Sequence, residues 1–390
     1  VNNSLLDWYQ LHMEKLEDSQ LAAPLQTEQM EVGKNAYAKL ESFLSSHDFT
    51  HIHLVYDKHT FQAAGESLVK RLPSHNQITI SKTELSPDAN GDVIANETSI
   101  AYLLTEVQRP DVLIAIGAGT IHDITRFVSY KMGLPFISIP TAPSVDGFNS
   151  KGAPIVLKKR KITFQTQAPI ALFADTSVLA EAPRPLIAAG VGDMIGKWTS
   201  LADWQFGTMM AQEPYSETAV AMTKEALKLV TSSLDDIKNQ TDIGMKALIE
   251  ALLKSGMAMS LFGLSHPASG GEHHLSHYWE MHYLEKNKKQ LLHGAKVGVA
   301  CGLLADHYHK QANKLLLTDS RLTINQQEKA QAILASIPSG DEIRRTLSSV
   351  GGSTTPHELG VPSELVENSI KHAHTVRDRH TFLRYINESR

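Results

Sequence analysis

Six of the nineteen histidines in this 390-residue chain fall between His266 and His293, within SHPASGGEHHLSHYWEMHYLEKNKKQLLHGAKVGVA. A single imidazole is ordinary on a surface or in a core, but this density invites a divalent metal. His273 and His277 stand four residues apart and share a face if the stretch is helical, whereas His274 is turned about 100° away. His293 precedes GAKVGVACG, whose small residues would let a helix pack closely and crowd the imidazole. One carboxylate and two imidazoles, with a position open to water or substrate, form a catalytic zinc site and suit other divalent metals. Asp193, between Gly192 and an apolar-periodic run in AAGVGDMIGKWTSLADW, has by itself the setting of a helix N-cap.

Two further stretches carry chemistry. In VLIAIGAGTIHD, Gly117 and Gly119 separate a buried-type strand from a helix start. Glycines there let a phosphate approach the backbone, and the helix N-terminus offers unpaired N–H groups. A plain tight turn reads the same residues as well, since His122 stands where the third glycine of a dinucleotide fingerprint belongs. The loop Thr141 to Ser150 gathers Thr141, Ser144, Asp146, Asn149 and Ser150. Such residues satisfy their own backbone in turns, and a ligand-binding loop gains ground because it follows a strand of the same sheet.

The elements that must position these groups show a change of rhythm. Short apolar runs at 51–57, 77–84, 111–117, 135–140 and 170–175 alternate with amphipathic stretches, which predicts βαβ units and a parallel sheet. The clearest helix begins near Gly119 and ends at Gly133. Within residues 141–167 a Pro/Gly/Ser-rich loop precedes two alternating runs, which suggest a β-hairpin or an edge extension. After EAPRP (181–185) strand signals stop, and helical patterns follow, as at 216–237 and 327–337. The expected plan is an α/β domain over 1–183 and an all-helical domain over 184–390.

Composition sets outer limits. Hydrophobic residues make up 42% and charged residues 20%, a globular balance without the signature of disorder. A formal net charge of -5 and a pI near 6.5 give no field to collect nucleic acid or anionic lipid. No apolar stretch reaches membrane-spanning length, and the opening VNNSLLDWYQLHMEKLEDSQ has no signal-peptide pattern. The single Cys301 sits in an apolar run and reads as a small buried hydrophobe. A cytoplasmic protein acting on small molecules is expected.

Taken in order, GAGTIHD, TAPSVDGF, GVGDMIGKW, SGGEHHLSH and LLHGAKVG resemble the glycerol-1-phosphate dehydrogenases of the iron-dependent alcohol dehydrogenase and dehydroquinate synthase-like superfamily, in particular their bacterial AraM-type branch. The resemblance covers residues 50 to 300. It implies a Rossmann-like nucleotide-binding domain, a helical metal-binding domain, an active site between them, and a homodimer. By position it makes Asp193, His273 and His293 metal ligands, with nickel or zinc expected and iron possible. Asp146, Asp193 and His277 become substrate contacts and catalytic groups. Gly117, Ala118, Gly119, Thr120, Ile121, Thr141, Ser144 and Ser150 become contacts of NAD(H) or NADP(H), with Asp57 near the adenosine ribose. Ala118 departs from the glycine triplet of archaeal relatives.

The activity implied is interconversion of dihydroxyacetone phosphate and sn-glycerol 1-phosphate. In it the metal polarises the ketone as hydride arrives, and His277 orients the substrate or relays a proton. No transferable motif supplies the grip on the substrate phosphate; Lys151 and the cluster Lys158, Lys159, Arg160 and Lys161 are candidates. A glycerol dehydrogenase, or a dehydroquinate synthase-like lyase that recycles its NAD, are the alternatives on the same fold.

Overall fold

The computed structural model describes residues 4–16, 25–72 and 78–389. The start of the opening stretch (1–3), its end (17–20), and Gln77 of the expected 77–84 strand lie outside these residues. A parallel sheet forms from β1 (Gln29–Gly33), β2 (His51–Tyr56), β3 (Thr79–Glu84), β4 (Val112–Gly117), β5 (Phe136–Pro140) and β8 (Ala171–Asp175). Their order across the sheet is β1-β8-β5-β4-β2-β3. The fully buried runs of β4, β5 and β8 occupy the middle, as strands covered on both faces must.

The chain steps outward from β2 to β3, then returns to β4 and proceeds the other way through β5 and β8. The reversal lies between β2 and β4. A crevice opens there at the strands' carboxyl ends, the place where open α/β sheets take ligands. Asp57 follows β2, and the glycine turn follows β4. Of the two alternatives open for the runs within 141–167, the hairpin forms: β6 (Gly152–Leu157) pairs antiparallel with β7 (Arg160–Gln165). It packs Ala153 and Ile155 onto the sheet face that also buries Ile121, Ile124 and Val128.

The expected strands begin and end within a residue or two of the observed ones, but β1 has no counterpart in the sequence reading. Its five residues, QMEVG, bury only Met30 at the sheet edge, so no apolar run or alternation marks them. Among the described residues no strand follows Asp175. The first helix, Leu5–Met13, lies at the other end of the chain yet buries Leu5 and Tyr9 in the helical core. No helix among the described residues is long and apolar enough to cross a membrane.

Two helices cross closely beneath the crevice, Arg184–Ile195 and His293–His307. Small residues make this possible. A Cβ on Gly192 would collide with the Gly294 carbonyl, and one on Gly294 with the Ala189 carbonyl. Backbone therefore meets backbone, and Asp193 is set against His293. Cys301 is buried in the same helix, as expected of a small hydrophobe.

Alanine normally stabilises a helix over glycine by about 1 kcal/mol. At Gly294 the collision should reverse that sign, and Gly294→Ala is expected to destabilise by about 1–3 kcal/mol. Gly302, in the same helix, has its nearest Cβ neighbour at 3.5 Å. Gly302→Ala should therefore be neutral or stabilising. Denaturant unfolding of both variants reads the contrast directly, and equal effects would show that the crossing does not depend on the missing Cβ.

Candidate active site

A cleft of about 760 Å³ runs from the ends of β2 and β4 to the histidine-rich helix Gly271–Glu285. At its sheet end lies the helix Gly119–Met132. Its N-cap, Ala118, contributes no side-chain cap, so the first N–H groups stay available to an anion. Ala118, Gly119, Thr120 and Ile121 line the cleft, as do Asp57, Ser144 and Ser150. Gly117 and Thr141 stand just behind the lining, joined by a bond from the Thr141 N–H to the Gly117 carbonyl at 3.1 Å. A Cβ on Gly117 would press on Ile121 at 2.6 Å, so packing explains that glycine. Asp57 also caps the short helix after it, accepting from the Thr60 N–H at 2.9 Å.

The loop after β5 is held from two directions. Arg126, fully buried in the glycine helix, donates to the carbonyls of Gly147 (2.6 Å), Phe148 (3.2 Å) and Gly152 (3.0 Å). Asn149 donates to the Leu253 carbonyl at 3.0 Å, so this amide anchors the loop to the helix Asp242–Phe262. Asp146 is thereby carried to the cleft. Its N–H donates to Asp193 Oδ2 at 3.0 Å, and its Oδ2 accepts from Ser255 Oγ at 2.9 Å.

Asp193 is no N-cap. It lies near the end of a helix that begins at Arg184, because residues 187 to 195 are all buried and the apolar run extends on both sides of it. Its carboxylate and one nitrogen each of His273 and His293 lie within 4.8 Å of one another. His273 Nδ1 meets Glu272 Oε1 at 2.7 Å, which leaves Nε2 facing Asp193 Oδ1 at 4.0 Å. Glu272 is fixed in turn by the Gly270 N–H (2.7 Å) and Thr199 Oγ1 (2.6 Å). His293 keeps a buried Nδ1 without a hydrogen-bond partner among the described residues. One carboxylate, two converging imidazoles and an orphaned ring nitrogen suit a divalent cation.

His277 joins the group, its ring centre 6.2 Å from those of both His273 and His293. Burial pushes its pKa down to about 3. His274 is buried away from the cleft, and neither ring nitrogen has a hydrogen-bond partner among the described residues.

Several important side chains escaped the sequence reading. Lys197, buried one helical turn beyond Asp193, places Nζ 3.1 Å from Asp193 Oδ1 and 2.8 Å from Asp146 Oδ2. Burial works against its charge, but the two carboxylates prevail and raise its pKa. Burial and the nearby Asp146 raise the pKa of Asp193, while at Asp146 burial is outweighed by Lys197. Glu280, three residues after His277, takes Lys161 at 2.9 Å and Lys296 at 3.5 Å. Arg377 reaches the cleft from far along the chain. The i+4 and i+3 spacings of Lys197 and Glu280 are signals a sequence offers; Arg377 has none.

The basic cluster divides. Lys158 and Lys159 form the hairpin turn, with φ of 48° and 63°, and with Arg160 are exposed. Lys161 alone of the four lines the cleft, and Lys151 lines it too.

The fold and this donor set define a metal-dependent dehydrogenase architecture, and comparison with known proteins agrees. Residues 31–183 match the family model described as iron-containing alcohol dehydrogenase. The solved iron-containing alcohol dehydrogenase of Corynebacterium glutamicum has the same fold, with a TM-score of 0.69 at 12% identity over 96% of this chain and 97% of that one. A probable glycerol dehydrogenase from Sinorhizobium meliloti gives 0.67 at 17%, over 93% and 95%. Sequence relatives are nearer. A glycerol-1-phosphate dehydrogenase (NAD(P)+) of Geobacillus stearothermophilus is 48% identical over 93% of this chain and 92% of its own. That of Bacillus subtilis is 45% identical over 94% and 93%. The chain belongs to the iron-containing alcohol dehydrogenase family and, within it, to the glycerol-1-phosphate dehydrogenases.

Glu272→Gln removes the carboxylate that orients His273 and should weaken divalent-metal affinity about 10–100-fold. His274→Ala should retain its metal. Competition against a chromophoric chelator measures both; unchanged affinity in the first variant, or metal loss in the second, would reverse these assignments.

Proposed function

We propose that this protein interconverts dihydroxyacetone phosphate and sn-glycerol 1-phosphate, using NAD(H) or NADP(H) and a divalent metal. The observation that carries the reading is convergence. His273 and His293 face the same cleft as the uncapped helix start at residues 118–121, and Asp193 closes the donor set between them. The names of the glycerol-1-phosphate dehydrogenase relatives supply the substrate.

On this reading residues 1–183 hold the nucleotide and residues 184–390 the metal, which Asp193, His273 and His293 bind. Nickel or zinc is favoured, and the same donors accept iron. When bound, the cation would polarise a ketone oxygen, and the nicotinamide would supply hydride. Gly119, Thr120 and Ile121 present backbone N–H groups to the pyrophosphate, with Ser144 and Ser150 alongside. Asp57 faces the adenosine ribose and repels a 2′-phosphate, which favours NAD over NADP. Asp146 and His277 orient the substrate hydroxyls. Lys197 holds Asp146 and Asp193 at fixed separation, so the substrate contact and the metal ligand keep a common frame.

A panel of dihydroxyacetone phosphate and dihydroxyacetone with each cofactor tests the activity. Stoichiometric NADH oxidation is expected with the phosphate ester; preference for the unphosphorylated ketone would overturn the reading. Metal, Asp146/His277 contacts and a phosphate grip together present one carbonyl face, so the product should be the sn-1 enantiomer. A discrimination of ~3 kcal/mol leaves under about 1% of the other. Product oxidised substantially by an enzyme specific for sn-glycerol 3-phosphate contradicts this.

Gly119→Val places bulk beside Val145, whose Cγ2 would already lie 3.1 Å from an added Cβ. It should weaken NADH binding while metal content holds. Calorimetry giving wild-type NADH affinity in the folded variant would move the phosphate cradle elsewhere.

A further inference from the structure

Resting on the proposed activity, one requirement is still unmet: a cation for the substrate's phosphate. Around the cleft, Lys161 is committed to Glu280 at 2.9 Å, and the buried Lys197 and Lys296 are committed to carboxylates as well. Lys151 adjoins Ser150, on the loop assigned to the nucleotide. Arg377 differs from all of these. It lines the cleft, half-buried, and no carboxylate among the described residues lies within ion-pair distance of it.

Its partners are instead two hydroxyls and an imidazole. Nη1 donates to Ser269 Oγ at 3.2 Å and to Ser265 Oγ at 3.4 Å, and Nη2 donates to His277 Nε2 at 3.1 Å. Both serines also line the cleft. Burial, and then the neighbouring Arg379, push the Arg377 pKa downward against a smaller opposing pull from Glu272. Its segment is firmly held: Arg379 Nη1 donates to the Ser269 carbonyl at 3.1 Å, and the Phe382 N–H to Asp203 Oδ1 at 2.8 Å.

We propose that Arg377, with the hydroxyls of Ser265 and Ser269, forms the subsite that takes the phosphate of the substrate. The planar guanidinium fork matches two phosphate oxygens, and the serine hydroxyls turn to donate once the anion is present. Position agrees with this role. Arg377 touches His277, whose ring lies 6.2 Å from those of His273 and His293. The phosphorus of dihydroxyacetone phosphate is three bonds from its carbonyl carbon, so a ketone oxygen at the donor cluster leaves the phosphate close to that side of the cleft. An unphosphorylated triose would leave the guanidinium without countercharge, and selectivity follows from that penalty.

The test compares kcat/KM for dihydroxyacetone phosphate and for dihydroxyacetone in metal-loaded wild type, Arg377→Leu, Arg377→Lys and Lys151→Met. The ratio should fall on the order of 100-fold in Arg377→Leu, through KM chiefly. It should fall less in Arg377→Lys, which keeps charge without the fork, and hold in Lys151→Met. Calorimetric titration with inorganic phosphate should show binding to wild type that Arg377→Leu loses. An unchanged ratio in a folded Arg377→Leu, or collapse in Lys151→Met alone, overturns the assignment. If Arg377→Leu does not fold, an unchanged ratio in Arg377→Lys overturns it. Should wild type fail to reduce dihydroxyacetone phosphate, the functional reading falls and the titration judges Arg377: no phosphate binding to wild type, or equal binding in both, ends the proposal.

Discussion

The site depends on a backbone approach that side chains would forbid. Where the helices Arg184–Ile195 and His293–His307 cross, Gly192 meets Gly294 and Gly294 meets Ala189 without an intervening Cβ. Asp193 and His293 are neighbours to these glycines in sequence, so the distance between a carboxylate and an imidazole is set by main chain. Main chain in a packed helix pair moves little. A ligand pair mounted on flexible side chains over a wider gap would lose that fixity.

From this crossing the rest of the cleft is tied outward. Lys197 links Asp193 to Asp146, Asn149 links the same loop to the helix Asp242–Phe262, and Arg126 links it to the glycine helix. The sheet half and the helical half thus share one polar frame. Its charges are buried but mutually compensated, which is the condition under which buried ions are tolerated. The Lys161–Glu280 pair adds a second bridge, from the hairpin to the histidine helix.

What could be read from sequence follows a physical division. β4, β5 and β8 announce themselves because buried parallel strands need unbroken apolar runs. The glycine helix shows its stripe and its left-handed stop at Gly133, where φ is 67°. Spacing put His273 and His277 on one face and turned His274 away. Asp193 misled as an N-cap because its flanking glycine serves helix crossing rather than a turn. The edge strand β1 buries too little to leave a pattern. Arg377 meets its partners through a contact a hundred residues long, and no local rule foresees it.

Asp203 gathers three donors on one buried carboxylate: the Gly271 N–H at the head of the histidine helix, the Tyr308 hydroxyl and the Phe382 N–H. These belong to segments made at quite different moments of translation. Until residue 382 leaves the ribosome, the carboxylate lacks a donor and the histidine helix lacks part of its mooring. Nascent chains therefore carry Asp193, His273 and His293, which converge in the finished fold, for more than eighty residues of synthesis before the frame around them is complete.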